Sequence, residues 1–131
     1  MPLAGPSLSA VPPLHRLLDA GLTATPDAVA LASRDGTLTW RALDDATTRL
    51  AHGYRGLGLR RGDRLASLMP NRDALVIHYL ACMKAGLVAV PLNYRYTPPE
   101  IDHALAVSGA AALLAHAERD ADIAASEHAG G

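Results

Sequence analysis

Three groups of residues in this 131-residue chain have types that could do chemistry. The first is the glycine-rich run Gly53-Tyr54-Arg55-Gly56-Leu57-Gly58-Leu59-Arg60-Arg61-Gly62. A dinucleotide loop needs G-x-G-x-x-G after a strand and opening a helix, so that backbone N–H groups meet a pyrophosphate. Here Arg61 occupies the third glycine's position counted from Gly56, and the run follows a predicted helix and precedes a predicted strand. It reads as a helix stop and a turn. The second group is six histidines (His15, His52, His78, His103, His116 and His128) and the single cysteine, Cys82. None forms an H-x-x-x-H pair or sits near the lone cysteine, so no metal site is expected. His78 reads as a hydrogen-bonded structural histidine and Cys82 as a buried, inert thiol. The third group is acidic. Asp44, Asp45 and Asp73 fall in the first turns of predicted helices, where they complement the dipole, and no carboxylate pair stands out as an acid–base couple. No catalytic residue is assigned.

One basic residue remains as a binding candidate. Arg95 follows the apolar run Leu87–Pro91, just past the end of a predicted strand, where open α/β sheets bind ligands. The helix signal Thr97-Pro98-Pro99-Glu100 lies beside it and offers free N–H groups. The plain alternative is a surface arginine pairing with Glu100 or Asp102, or with nothing.

The elements that must position these residues are legible from pattern. A lead-in over residues 1–25 carries a short helix from about Pro13 to Ala20, and the main unit spans 26–131. Ala28–Ala32 and Thr37–Thr39 read as strands around an Asp35-Gly36 hairpin turn. Leu43, Ala46, Leu50, Tyr54 and Leu57 give one apolar helix face, with Thr39 as its N-cap and Gly56 and Gly58 at its stop. Leu65–Met69 is a strand ended by Pro70. Asn71 is the expected N-cap of the next helix, which ends at Gly86. Leu87–Pro91 is apolar throughout, the pattern of a central parallel strand. A helix from Thr97 to Ser108 stops at Gly109, Ala110–Ala115 is a strand, and a last helix covers 117–126. Alternating strands and helices predict an α/β fold: a mainly parallel sheet with flanking helices.

Composition narrows the function classes. The chain is 50% hydrophobic and 19% charged, which supports a packed core. Its formal net charge of −1 argues against a nucleic-acid protein. Lys84 is the only lysine, and one cysteine cannot form an intrachain disulfide. No stretch approaches the roughly 20 apolar residues of a membrane helix, and the N-terminus lacks a signal-peptide pattern. A cytoplasmic protein is the expectation.

Three segments in order carry a resemblance. Leu38-Thr39-Trp40-Arg41-Ala42-Leu43 resembles an L-T-Y-x-E-L motif. Leu57–Ala66 resembles G-(V/L)-x-x-G-D-x-V. Met83-Lys84-Ala85-Gly86-Leu87-Val88-Ala89-Val90-Pro91-Leu92-Asn93 resembles L-K-A-G-x-x-x-x-P-L. Together they are similar to the first subdomain of the adenylate-forming superfamily, the acyl-CoA synthetases, luciferases and peptide-synthetase adenylation domains. The resemblance runs from about Pro26 to Ala117. Ala42 departs from the usual Glu, and the family's phosphate loop, similar to S-G-T-T-G-x-P-K-G, does not occur in these 131 residues.

That resemblance implies a family that uses ATP, Mg²⁺ and coenzyme A to turn a carboxylic acid into an acyl-adenylate and then a thioester. This segment alone is expected to bind none of these and to be inactive. Asn93-Tyr94-Arg95 is similar to the P-L-N-x-R of CoA ligases, not the P-L-D-P of peptide-synthetase domains. It implies that Arg95 lies near the nucleotide end of CoA. Expected partners are the remainder of a synthetase or a second copy. The alternatives are a non-catalytic remnant packing against a partner chain, and a flavodoxin-like binding domain. The latter would need a phosphate loop at Pro70-Asn71-Arg72-Asp73, a poor one.

Overall fold

The computed structural model describes residues 16–126. Its elements in order are α1 (Asp19–Ala24), β1 (Val29–Ser33), β2 (Gly36–Thr39), α2 (Trp40–Gly56), β3 (Arg64–Leu68) and α3 (Asp73–Ala85), followed by β4 (Val88–Pro91), α4 (Pro98–Ser108), β5 (Ala112–Ala115), a 3-10 turn (Ala117–Arg119) and α5 (Asp120–Ala125). β1 and β2 form an antiparallel hairpin of their own. β3, β4 and β5 form a parallel sheet in the order β4-β3-β5. The fold is α/β as the alternation predicts.

β3 is the buried centre. Leu65, Ala66, Ser67 and Leu68 are all buried, because β4 covers one edge (Leu65 opposite Ala89, Ser67 opposite Pro91) and β5 the other (Leu65 opposite Ala112, Leu68 opposite Ala115). Helices α2 and α3 pack on each other and on Leu65, enclosing Ala51, Tyr54, Ala81, Cys82, Ala85 and Leu87. A second cluster gathers Leu18, Leu43 and Leu80, with Leu38 and Trp40 against it, and so ties the hairpin and α1 to the helices.

Several local signals act as chemistry dictates. The Thr39 hydroxyl accepts the Ala42 N–H at 3.1 Å and starts α2. α3 ends at Gly86 (φ 75°) and α4 at Gly109 (φ 64°), both left-handed positions that disfavour a Cβ. At the start of α4 the Glu100 carboxylate accepts the Thr97 N–H at 3.1 Å and its hydroxyl at 2.8 Å.

Other expectations need correction. The lead-in helix runs over Asp19–Ala24, later than Pro13–Ala20; Asp19 supplies the acidic first turn and pairs with Arg16, and residues 13–15 lie outside the described residues. The hairpin loop is Arg34–Asp35, with Gly36 (φ 120°) already paired to Ser33. On α2 the buried stripe is Leu43, Thr47, Ala51 and Tyr54. Thr47 can be buried because its hydroxyl donates to the Leu43 carbonyl at 2.8 Å, whereas Leu57 lies past the helix end and is 78% exposed. Asn71 does not cap α3. The cap position is Arg72, which makes no side-chain cap bond, because the chain bends for two residues after Pro70. Finally, β4 is not central. Among the described residues it is an edge strand with Val88 47% exposed, because the connection through α4 carries the chain across β3 to its far side.

Candidate functional site

Parallel strands β3 and β4 end together, and the loops leaving them separate there to form a cavity of about 470 Å³. The buried Ser67, with Leu75 and Tyr79 from α3, lines it, as do Asn71, Asn93 and Arg95 from the two loops. This is the carboxyl-end crevice in which open α/β sheets take ligands. The Ser67 hydroxyl is a buried side-chain polar atom with no hydrogen-bond partner among the described residues. Serine in a strand interior is a weak sequence signal, and only the burial of β3 makes its hydroxyl conspicuous.

Arg95 sits in a tight turn just after β4. Its N–H donates to Asn93 Oδ1 at 2.9 Å, and the Tyr96 N–H donates to the Asn93 carbonyl at 3.0 Å. Asparagine shapes such turns by offering its side-chain oxygen to the backbone two residues on. The guanidinium of Arg95 forms no ion pair with Glu100 or Asp102 among the described residues. The Glu100 carboxylate is engaged by Thr97, whose backbone and hydroxyl bonds hold it below the usual carboxylate range. Arg95 therefore offers a cationic fork to solvent at the cavity rim, which suits a phosphate or carboxylate.

The turn is gripped from the far side of the sheet. Arg119 donates Nη1 to the Tyr94 carbonyl and Nη2 to the Tyr96 carbonyl, and its Nε donates to Asp122 at 2.9 Å. The Arg119 guanidinium lies 5.5 Å from the Tyr94 ring centre. The Tyr94 hydroxyl donates to Glu118 at 2.7 Å, a bond that raises the phenol's pKa and lowers the carboxyl's. Sequence reasoning missed Arg119. Nothing local marks it, because its partners lie 23 and 25 residues away.

The other candidate groups are structural. The Tyr54 hydroxyl meets His78 Nδ1 at 2.6 Å between α2 and α3, and both residues are buried. Burial lowers the His78 pKa and raises those of Tyr54 and Cys82, the thiol to about 11. Contrary to the sequence reading, a histidine does stand beside the cysteine: Cys82 Sγ is 3.7 Å from His78 Nε2, one helical turn away. With the thiol's pKa raised and no cation at hand, this contact makes no nucleophile. Lys84 also has a specific role. Its ammonium donates to Asp44 Oδ1 at 2.6 Å, to the Asp44 carbonyl at 3.1 Å and to Thr48 Oγ1 at 2.9 Å, clamping α3 to α2. The helix dipole is thus not the whole account of Asp44. Among the described residues no group of three or more His, Cys, Asp or Glu could hold a metal ion. No described helix is long and apolar enough to cross a membrane.

Comparison with known proteins places this geometry. Residues 18–130 match the model of the family described as AMP-binding enzyme. The chain is 46% identical over 104 residues to a feruloyl-CoA synthase of Amycolatopsis sp, covering 77% of this chain and 21% of that protein. It is 34% identical over 102 residues to a long-chain-fatty-acid–CoA ligase of Salmonella typhimurium, covering 77% of this chain and 18% of the ligase. Among solved structures, a Mycobacterium tuberculosis fatty acyl CoA synthetase superposes with a TM-score of 0.80 at 29% identity, over 86% of this chain and 23% of that one. The chain spans about a fifth of the length of the curated relatives it matches.

Proposed function

The chain belongs to the AMP-binding enzyme family, as a segment of an acyl-CoA synthetase, and from that premise we propose that it supplies scaffold and one coenzyme A contact, Arg95, to an ATP-dependent acid–CoA ligase. The observation that carries the reading is the exposed Arg95 side chain at the carboxyl end of β4, which lines the cavity and makes no ion pair among the described residues. A guanidinium there fits the phosphates of the CoA nucleotide, which it can grip with two parallel N–H donors. The P-L-N-x-R pattern at Pro91–Arg95 supports a CoA ligase over a peptide-synthetase domain.

The residues present do not fit ATP or Mg²⁺. The sequence holds no phosphate loop, and the described acids do not cluster into a metal ligand set. No step of adenylation is therefore assigned to these residues. What these residues do is narrower: Asn93 shapes the turn, Arg95 projects from it, and the α2–α3 core holds the sheet that carries both.

The test is a chimeric synthetase in which residues 18–126 replace the corresponding part of a feruloyl-CoA synthase. Arg95→Ala should raise the apparent KM for CoA about tenfold, the loss of one charged contact, and leave the rate of adenylate formation unchanged. Equal losses in both half-reactions, or an unchanged KM for CoA, would remove Arg95 from the CoA site.

A further inference from the structure

We infer that Arg119 is the positioning residue for Arg95, an assignment that rests on the reading of Arg95 as a CoA contact. Its two Nη groups donate to the carbonyls of Tyr94 and Tyr96, the residues on either side of Arg95. The Arg119 side chain is only 12% exposed, and its Nε is held by Asp122, so the fork is fixed before it meets the turn. The Tyr94 ring lies against the guanidinium, and the Tyr94 hydroxyl is tied to Glu118 on the same 3-10 turn. Asn93 fixes the turn from within, and Arg119 fixes it from outside.

The chemistry of the contact explains the residue type. Two carbonyls two residues apart need two donors at a set spacing, which a planar guanidinium provides and a single ammonium does not. Arg119 thus holds the peptide before Arg95 and the peptide after Tyr96, Asn93 holds the one between them through the Tyr96 N–H, and the Arg95 side chain makes no ion pair among the described residues. The segment after β5 thus controls how a residue after β4 is presented, across the width of the sheet. An arginine that merely anchored α5 would have no reason to bond the carbonyls on both sides of a cation at the cavity rim.

The experiment uses the 131-residue chain, labelled for amide NMR, as wild type, Arg119→Lys, Arg119→Ala and Arg95→Ala. Amide exchange is measured at Arg95 and Tyr96 and, as an internal control, at Leu65–Leu68 of β3. The same variants are then placed in the chimeric synthetase described above, and their affinity for coenzyme A is measured there. In Arg119→Lys, exchange at Arg95 and Tyr96 should speed up at least about tenfold while β3 is unchanged, and CoA affinity should fall about tenfold, as for loss of one charge-assisted bond. Arg119→Ala should go further in the same direction. Unchanged exchange at Arg95 and Tyr96 in both variants overturns the inference, as does wild-type CoA affinity in Arg119→Lys when Arg95→Ala has lost it. If Arg95→Ala binds CoA like the wild type, the CoA reading fails, and the exchange rates alone then decide whether Arg119 positions the turn.

Discussion

Tyr54 and His78 share one buried hydrogen bond, and its chemistry sets a pH limit on the fold. Burial lowers the folded-state pKa of His78 from an unfolded value near 6.5. Between those two values the unfolded chain binds the proton and the folded chain does not. The stabilisation is therefore complete above about pH 6.5 and is lost as pH falls, with a slope of up to about 1.4 kcal/mol per pH unit from this one group. The groups facing His78 are Tyr54, Tyr79 and Cys82, and burial raises the pKa values of the Tyr54 phenol and the Cys82 thiol further from that range. Urea midpoints between pH 5 and 7 should show the slope in the wild type and a shallower one in His78→Gln. Tyr54→Phe leaves the imidazole nitrogen unpaired and should cost about 1–3 kcal/mol at pH 7.5 by the same measurement. Lys84→Met strands Asp44 and Thr48 at the α2–α3 contact. Because Asp44 remains 39% exposed, water takes up part of that loss, and the expected destabilisation is about 1–2 kcal/mol.

At the level of elements, the junction of α1 with α2 depends on a missing side chain. A Cβ on Gly21 would lie 2.3 Å from Trp40 Cδ2, well inside contact distance. Glycine there lets α1 lie directly on the indole. Gly21→Ala should push the two helices apart and cost about 1–3 kcal/mol, as overpacking does. Trp40 is the only tryptophan, so its emission reports the site directly. A red shift should accompany the stability loss, and an unshifted spectrum with wild-type stability would mean that α1 does not dock as described. The α4 N-terminus is the opposite case, an element set by its own residues. Thr97 and Glu100 close it without tertiary help.

For the whole molecule, the three-stranded sheet has two edges, β4 and β5, with no further strand paired to either among the described residues. β4 presents the half-exposed Val88 beside open backbone groups, which invites pairing with another chain. Sedimentation of the 131-residue chain should show association that rises with concentration, and Val88→Lys should shift it toward monomer. A wild-type chain that stays monomeric at all concentrations, with a single sharp melt, would mean the edges are protected. The same chain should release no pyrophosphate from ATP in the presence of a carboxylic acid, since removing even one donor of a preorganised anion site costs about 10²–10³ in rate and no phosphate loop is present here.

What the sequence determined by itself is what neighbours along the chain decide. Thr39, Thr97-Pro98-Pro99-Glu100, Gly86 and Gly109 mark helix ends because capping and left-handed backbone are matters of a few adjacent residues. The α/β alternation and the family likeness rest on the same short-range order, so they too were legible. Tertiary structure decided the rest. Leu87–Pro91 is apolar enough for a central strand, yet it became an edge, because strand order depends on where a crossover lands and not on the strand's composition. Thr47 went inside and Leu57 outside because a hydroxyl that bonds its own helix can be buried, while a leucine one residue past the helix end has nothing to pack on. Arg95 could be singled out from its place after a strand. That Arg119 holds its turn, and that the Ser67 hydroxyl lines the same cavity with no partner among the described residues, depends on contacts between segments far apart in the chain, which only folding brings together.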